Sequence, residues 1–301
     1  MPSARTAMVS DVGVGSKTKE RRASRRGAAH STLREGKNVT INYTMPNAEY
    51  HLSDALSASG AKTIAMKSLA HFKYGEYKHT HAFDIGTATH TLTLEPHLKK
   101  SVWCGPETRR GKEWTSLKEK ADEAGAVLLT DSDYKQAVKM AEAVRSNPAA
   151  ADLLSGDLAV EASVFAHDSI YNVDIRSRPD GWRKDIAALI DLKTTVDPSP
   201  EGFARQVANF GYHIQDQFYR RVMTLNGVEI DRFIFIAVGK EAPYAVGVYE
   251  LDWRTLEEGS AAVKYALEQY ATAQKTGKWG YGYGELQTLQ IPPYAFKFSA
   301  N

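Results

Sequence analysis

An aspartate and a lysine two residues apart, Asp191 and Lys193, lie at the end of an apolar run that starts at Ile186. The run is short and contains β-branched residues, which is typical of a buried strand. On a strand, residues i and i+2 point to the same face, so we expect both charges on one side of a sheet. Because a buried charge is costly unless it is paired or bound to a metal, these two residues are the first candidates for chemistry.

A third charged residue, Asp180, lies in the turn sequence Pro179-Asp180-Gly181 just before this strand. Proline fixes φ, aspartate can bond its own backbone and glycine accepts positive φ, so a turn is expected here. Two carboxylates and an ammonium group at one end of a strand would suit a divalent metal ion beside a group that activates water. The alternative is a turn aspartate followed by a strand that ends in a surface Asp–Lys pair, and these three residues leave both interpretations open.

Four more polar residues could join this group, and each has an ordinary structural alternative. His90 lies in a predicted helix, where a lone histidine more often has a structural role. Glu161 lies inside a predicted strand, where it could equally pair with Arg176 or Lys193. Gln215 and Tyr219 are four residues apart on a predicted helix and therefore share a face, as they would on any amphipathic helix.

Taken in order, these residues resemble a known superfamily. The succession Gly86-x-x-x-His90, Asp180, Asp191-x-Lys193 and Gln215-x-x-x-Tyr219 resembles the RecB-like branch of the PD-(D/E)XK nucleases. Over roughly residues 49–280 the chain is similar to the nuclease domain of the phage-type RecE exonucleases (exonuclease VIII). The segments that carry this similarity are Leu56-Ser57-Ala58-Ser59, Phe83-Asp84-Ile85-Gly86-Thr87-Ala88-Thr89-His90, Arg110-Gly111-Lys112-Glu113-Trp114, Asp191-Leu192-Lys193-Thr194-Thr195, Gly211-Tyr212-His213-x-Gln215 and Phe235-Ile236-Ala237-Val238.

The resemblance implies an α/β (α+β) fold, with a mixed central β-sheet flanked by helices and a restriction-endonuclease-like core. It implies a Mg²⁺-dependent exonuclease that degrades linear double-stranded DNA from 5′ to 3′ and leaves a 3′ single strand for a recombination annealing protein. Ring-shaped homo-oligomers are common among such enzymes. The alternatives are a catalytically silent DNA-binding or assembly protein of the same fold, and an endonuclease or single-strand nuclease with the same site.

The expected metal site combines residues from distant parts of the chain. Asp180, Asp191 and the carbonyl of Leu192 would bind the cation, and through the resemblance His90 would be a further ligand. Oxygen ligands favour Mg²⁺ or Mn²⁺ over zinc, and an imidazole ligand makes Mn²⁺ a competent substitute. Glu161 could hold a second metal or a ligating water.

The remaining expected roles concern the attacking water and the DNA. Lys193 would orient or deprotonate the water, provided that the field of the metal lowers its pKa. Gln215 and Tyr219 would support the catalytic residues or the DNA strand. Phosphate contacts position DNA without reading its sequence and make binding salt-sensitive. The candidates for such contacts are Arg109, Arg110, Lys112 and Arg178.

Composition limits the class of protein. The chain has 301 residues, of which 43% are hydrophobic and 25% charged, as in ordinary globular proteins. No run of eighteen apolar residues or secretory signal is found, so no membrane span is expected. Cys104 is the only cysteine, which excludes an intrachain disulfide and a zinc site of several cysteines and fits a cytoplasmic setting.

Charge is unevenly distributed along the chain. Residues 1–40 contain nine basic and three acidic residues, whereas the remainder contains 29 basic and 33 acidic residues. We therefore predict a flexible basic tail over residues 1–40 and a single nuclease-type domain over residues 41–301. Because this domain is slightly acidic, it would have to bind DNA through local basic patches and bound cations.

Hydrophobic periodicity and turn residues predict the order of the elements. Helices are expected at 54–72, 84–95, 114–124, 130–146, 149–154, 203–210, 214–225 and 256–275, and strands at 158–166, 171–178, 186–194, 232–238 and 244–251.

Overall fold

The computed structural model describes residues 40–76, 79–280, 286–296 and 298. Apart from Thr40, the predicted basic tail lies outside the described residues, so its flexibility stays a prediction. The described residues belong to one compact unit of the chain, Val39–Asn301. Among them, no helix combines the length and the hydrophobicity that crossing a lipid bilayer would require.

The described residues form helices and strands that alternate along the chain. The strands are β1 Thr40–Asn42, β2 Leu56–Ser57, β3 Val102–Cys104, β4 Val127–Leu129, β5 Leu158–Val160, β6 Ser163–Asp168, β7 Val173–Ser177, β8 Gly181–Arg183, β9 Ala188–Thr195, β10 Arg232–Gly239 and β11 Val246–Tyr249. The α-helices are α1 Asn47–Leu52, α2 Ala58–Met66, α3 Leu69–Tyr74, α4 His81–Leu94, α5 Lys112–Glu123, α6 Asp131–Ser146, α7 Pro148–Leu153, α8 Pro200–Phe210, α9 Tyr212–Leu225 and α10 Trp253–Thr276.

A five-stranded mixed sheet is the centre of the fold. Its strand order is β11-β10-β9-β8-β5, with β9 and β10 parallel and every other neighbouring pair antiparallel. A second sheet has the order β1-β6-β7-β2, and β3 pairs with β4 in parallel. The predicted class, a mixed sheet flanked by helices, is confirmed.

Strand β9 is covered on both faces, which explains its continuous apolar sequence. Leu189 packs into a core built with α2, α8, α9 and α10. Ile190 and Leu192, which alternate with it, pack on the opposite face with α4, α6 and α7. Asp191 and Lys193 therefore share the face of Leu189, as their spacing predicts.

The predicted boundaries fail where local backbone chemistry interrupts an apolar pattern. The helix expected at 54–72 is two helices, because α2 ends at Met66 and the side chain of Ser68 caps α3. The strand expected at 158–166 is also wrong, since Glu161 has a φ of +52° and separates β5 from β6, which belong to different sheets.

Candidate active site

The carboxylate of Asp191 is held by two side chains on one face of β9. Its Oδ1 contacts the ammonium group of Lys193, and its Oδ2 accepts a hydrogen bond of 2.5 Å from Nε2 of Gln215 on α9. Asp191 is only 1% exposed, so the ion pair is shielded from water. The predicted Asp–Lys pair is thus part of a buried network and does not lie on the surface.

The side chain of Asp180 bonds to the backbone of β9 at the edge of this strand. Strand β8 begins at Gly181, opposite Ile190, so the amide of Leu192 lies beyond the last β8–β9 pair. Oδ2 of Asp180 accepts that amide hydrogen at 2.7 Å. Asp180 therefore extends the sheet with a side chain, and this contact fixes its carboxylate against β9.

Helix α9 supports the site at two levels one turn apart. Gln215 reaches Asp191, as described above, and the hydroxyl of Tyr219 donates to the carbonyl of Arg178 at 3.2 Å. Arg178 lies two residues before Asp180, so Tyr219 supports the turn that carries this carboxylate. Gln215 and Tyr219, on one face of α9, thus contact strand β9 and the turn of Asp180 respectively.

His90 reaches the same edge from α4, on the opposite side of the sheet. Its Nε2 lies 2.7 Å from the carbonyl oxygen of Leu192. Because a carbonyl oxygen only accepts, Nε2 carries the hydrogen, and Nδ1 of a neutral ring presents a lone pair. That Nδ1 lies 3.4 Å from Oδ2 of Asp180. Two acceptors facing each other at this distance need a proton or a metal cation between them.

Glu161 joins the cluster through the break between β5 and β6. Its amide donates to the carbonyl of Asp180 at 3.2 Å. One ligand atom each from His90, Glu161 and Asp180 lie within 4.8 Å of one another. The sequence placed Glu161 inside a strand, whereas the left-handed backbone conformation at this residue joins it to the turn of Asp180.

Burial and the crowding of like charges raise the pKa values of the carboxyl groups in this cluster. Burial, followed by repulsion from Asp180, raises the pKa of Glu161 from its ordinary 4.5 to about 8. Burial also raises the pKa of Asp180, and the neighbouring Asp191 adds to the rise although His90 opposes it. Glu161 therefore keeps a proton near neutral pH unless a cation replaces it.

The pKa of Lys193 is raised, whereas a general base requires a lowered pKa. Burial lowers its pKa, but attraction by Asp191 and then Asp180 outweighs this effect and raises the pKa above the ordinary value for lysine. In the metal-free protein Lys193 is accordingly a firmly protonated ammonium group. A lowered pKa of Lys193, the condition for deprotonating water, is not met in this state.

The three-residue cluster fits a hard divalent cation. It offers two carboxylates and one imidazole, a donor set that suits Mg²⁺ or Mn²⁺, and no thiolate. Asp191 lies outside this cluster, and its two oxygens are engaged by Lys193 and Gln215. The carbonyl of Leu192 lies at the cluster through its contact with His90. Direct ligation by Asp191 and by Leu192 stays a prediction.

The expected DNA contact of Arg178 is contradicted by its placement. The residue is 8% exposed, and its guanidinium group donates to Ser163, Asn47 and the carbonyl of Met45. It also lies over the ring of Tyr50, with 4.5 Å to the centroid. A buried, fully engaged guanidinium group holds segments of the protein together and is not available to a phosphate.

The other three DNA candidates lie in the loop before α5 and at its start. Arg109 is engaged by acidic residues, since its guanidinium group lies 3.1 Å from Asp133 and 4.0 Å from Asp84. Arg110 and Lys112 are exposed. Asp84 precedes His90 by six residues on α4, which places the Arg109 contact about 9 Å along the helix axis from the cluster. Phosphate contacts by this loop stay a prediction.

Three residues that were not among the sequence candidates also lie beside the site. The ring of Tyr212 lies under Lys193, with 4.9 Å from the ammonium nitrogen to the centroid. Glu95 is near enough to Glu161 to contribute to the rise in its pKa. Lys62 lies on the same Tyr212 ring. Tyr212 could have been found from its position three residues before Gln215, whereas nothing in the sequence around Lys62 indicates its place.

The raised pKa of Glu161 predicts how stability changes with pH. Between about pH 4.5 and 8 the folded protein keeps a proton that the unfolded chain has lost, so metal-free stability declines as the pH rises through this window. Glu161→Gln removes the penalty and should stabilise the metal-free protein at pH 8 by roughly 1–2 kcal/mol, allowing for partial exposure of the carboxylate. Thermal melts with a chelator at pH 5 and pH 8 measure this effect. An equal gain at both pH values would contradict the assigned shift.

Comparison with known proteins agrees with this architecture. Residues 55–290 match a family described as a PDDEXK-like domain of unknown function (DUF3799). A candidate exonuclease from Eubacterium rectale superposes with a TM-score of 0.58 at 15% identity, covering 83% of this chain and 96% of that chain. A phage-related exonuclease from Haemophilus somnus 129PT has 14% identity and a TM-score of 0.34, over 76% of this chain and 99% of that one.

At these identities the similarity to the Eubacterium rectale protein concerns the fold alone, and the second superposition is too weak to support an argument. No curated protein matches the chain in sequence.

Proposed function

The chain belongs to the PDDEXK-like family DUF3799, and from this premise we propose that it is a metal-dependent nuclease that hydrolyses phosphodiester bonds of DNA. The observation that carries the proposal is the convergence of His90, Glu161 and Asp180 at the edge of β9. A buried Asp191–Lys193 pair lies on that same strand. These residues are up to 103 positions apart in the chain and meet at one point.

Within this class we propose an exonuclease acting on linear double-stranded DNA from 5′ to 3′. It would leave 3′ single strands for a single-strand annealing recombinase, as the resemblance to RecE exonucleases implies. A ring-like homo-oligomer and a cytoplasmic setting belong to the same proposal. The catalytically silent alternative is disfavoured, because the acidic residues, the imidazole and the lysine are all in place.

His90, Glu161 and Asp180 would hold Mg²⁺, or Mn²⁺ in its place, with Asp191 and the Leu192 carbonyl completing the set. When bound, such a cation polarises the scissile phosphate and lowers the pKa of a water. The raised pKa of Glu161 means that this carboxyl group must release a proton to take up the cation. Cation affinity should therefore increase with pH.

Lys193 would act on the water and on the charge that develops at phosphorus. Its ammonium group can orient a water and stabilise an oxyanion while protonated. It can serve as a base only when its attraction to Asp191 and Asp180 is weakened, since these carboxylates raise its pKa. Gln215 would keep Asp191 aligned, and Tyr219 would keep the turn of Asp180 in place.

A nuclease assay on end-labelled DNA tests this proposal. We expect the purified protein to release acid-soluble nucleotide from linear duplex DNA with Mg²⁺, to be silent with a chelator, and to recover with Mn²⁺. Duplexes labelled at the 5′ or the 3′ end establish polarity, and covalently closed circles and single strands separate the exonuclease from the other nuclease types. Absence of cleavage on all four substrates with either metal would eliminate the nuclease proposal.

A further inference from the structure

Lys62 is a second lysine beside the site, and the catalytic scheme above makes no use of it. It lies on α2, whose C-terminal half packs against the junction of α8 and α9. A Cβ atom at Gly211 would lie 3.2 Å from Cδ of Lys62 and 2.6 Å from Sδ of Met66. The glycine, which has a φ of +63°, thus lets the aliphatic part of Lys62 lie across the junction.

The ammonium group of Lys62 shares an aromatic ring with Lys193. Its nitrogen lies 5.6 Å from the centroid of the Tyr212 ring, and the nitrogen of Lys193 lies 4.9 Å from the same centroid. Two cations within 6 Å of one ring repel each other unless anions balance them.

Within the part of the chain that the structure describes, one of these two cations has an anionic partner and the other has none. Lys193 contacts Asp191, whose other oxygen is bonded to Gln215. Across the described ranges, the ammonium group of Lys62 makes no hydrogen bond or ion pair with another residue. Burial, followed by repulsion from Lys193, lowers the pKa of Lys62 to about 8, although Asp191 partly opposes the shift. A partly buried cation of this kind is stabilised when an anion arrives.

The surface around Lys62 is open. Met66 is 43% exposed and Phe210 is 53% exposed, and Phe210 stacks on Tyr212 with 5.8 Å between ring centroids. A nucleic-acid strand entering here would meet the ammonium group of Lys62 on the same side of the sheet as Lys193.

We propose that Lys62 binds a backbone phosphate of the DNA strand that occupies the active site. This inference rests on the proposed nuclease function and adds to it a binding residue supplied by α2. The contact is to a phosphate, so Lys62 contributes affinity and placement of the strand without sequence preference.

Binding of a fluorescent DNA duplex with Ca²⁺ in place of Mg²⁺, measured over a range of salt concentrations, tests the proposal. Lys62→Met keeps the aliphatic stem on Gly211 and removes the charge, so we expect about tenfold weaker binding and a salt dependence reduced by about one phosphate contact. Lys62→Arg should keep the salt dependence of the unaltered protein. The matched control is Lys264→Met on α10, where the side chain is 66% exposed, and it should change neither quantity.

A structural role for Lys62 would give a different pattern. If Lys62→Met lowers the melting temperature but leaves the salt dependence of binding unchanged, the proposal is overturned. In the cleavage assay we expect Lys62→Met to raise KM more than it lowers kcat, and Lys62→Arg to restore KM.

The two proposals fail in distinguishable ways. If the unaltered protein cleaves DNA, and Lys62→Met binds and cleaves DNA equally well, the proposed phosphate contact is overturned while the nuclease proposal stands. If the unaltered protein binds DNA without cleaving it, the nuclease proposal falls and the salt dependence still decides the role of Lys62. If it does not bind DNA at all, both are overturned.

Discussion

Lys193→Ala is expected to reduce DNA cleavage about 10³-fold or more while DNA binding largely persists. The ammonium group of Lys193 contacts the buried carboxylate of Asp191 on the strand edge, where it can act on water and on developing charge. Removal of one preorganised stabilising group of this kind costs about 10²–10³ in rate, and loss of its action on the water adds to that. Single-turnover cleavage and duplex binding with Ca²⁺ measure the two effects separately.

The same substitution leaves Asp191 buried without its cation, which can cost about 3 kcal/mol of unfolding free energy. A second variant, Lys193→Gln, can still donate a hydrogen bond to this carboxylate and separates chemistry from folding. Both variants should be inactive, and the glutamine variant should melt closer to the unaltered protein. An active, well-folded Lys193→Gln protein would remove Lys193 from the catalytic scheme.

Asp191→Asn is the second substitution with a large expected effect. It keeps the shape of the side chain but removes the charge that holds Lys193 and that would contribute to cation binding. We expect cleavage to fall about 10³-fold and the affinity for Mn²⁺ to fall about 10–100-fold, because loss of a partner in or around a metal site typically has this effect. Isothermal titration calorimetry with Mn²⁺ measures the affinity, and a cleavage time course measures the rate.

Two comparisons make this test decisive. Asp180→Asn changes a residue of the His90–Glu161–Asp180 cluster and should also weaken Mn²⁺ binding, whereas Asp197→Asn removes a carboxylate that is 46% exposed and should leave it unchanged. If Asp191→Asn abolishes cleavage but leaves the affinity for Mn²⁺ intact, Asp191 acts by holding Lys193 and is not a ligand.

Local chemistry in the sequence was enough to define much of the scaffold. A helix was predicted from residue 130, and the hydroxyl of Thr130 caps it by accepting from the amide of Asp133 at the start of α6. The spacing of Asp191 and Lys193 placed both on one face of a strand, because side chains alternate with a period of two. The four-residue spacing of Gln215 and Tyr219 likewise placed them on one side of α9.

Other features depend on contacts between distant segments, which no local pattern encodes. Arg178 looks like a surface cation in sequence, but Ser163, Asn47 and Met45 enclose its guanidinium group in the fold. Glu161 fits a strand pattern, but its backbone turns into the left-handed region between two sheets.

Local patterns in the chain were enough to predict most of the longer helices and strands, the common face of Asp191 and Lys193 on β9, and the residue types that can bind a metal. Packing between distant segments brings Glu161 to His90 and Asp180, engages Asp191 with Lys193 and Gln215, and places Lys62 beside them. The physical reason is that periodicity, capping and turns follow from the sterics and hydrogen bonding of neighbouring residues. The meeting of residues about a hundred positions apart follows from how whole helices and sheets pack.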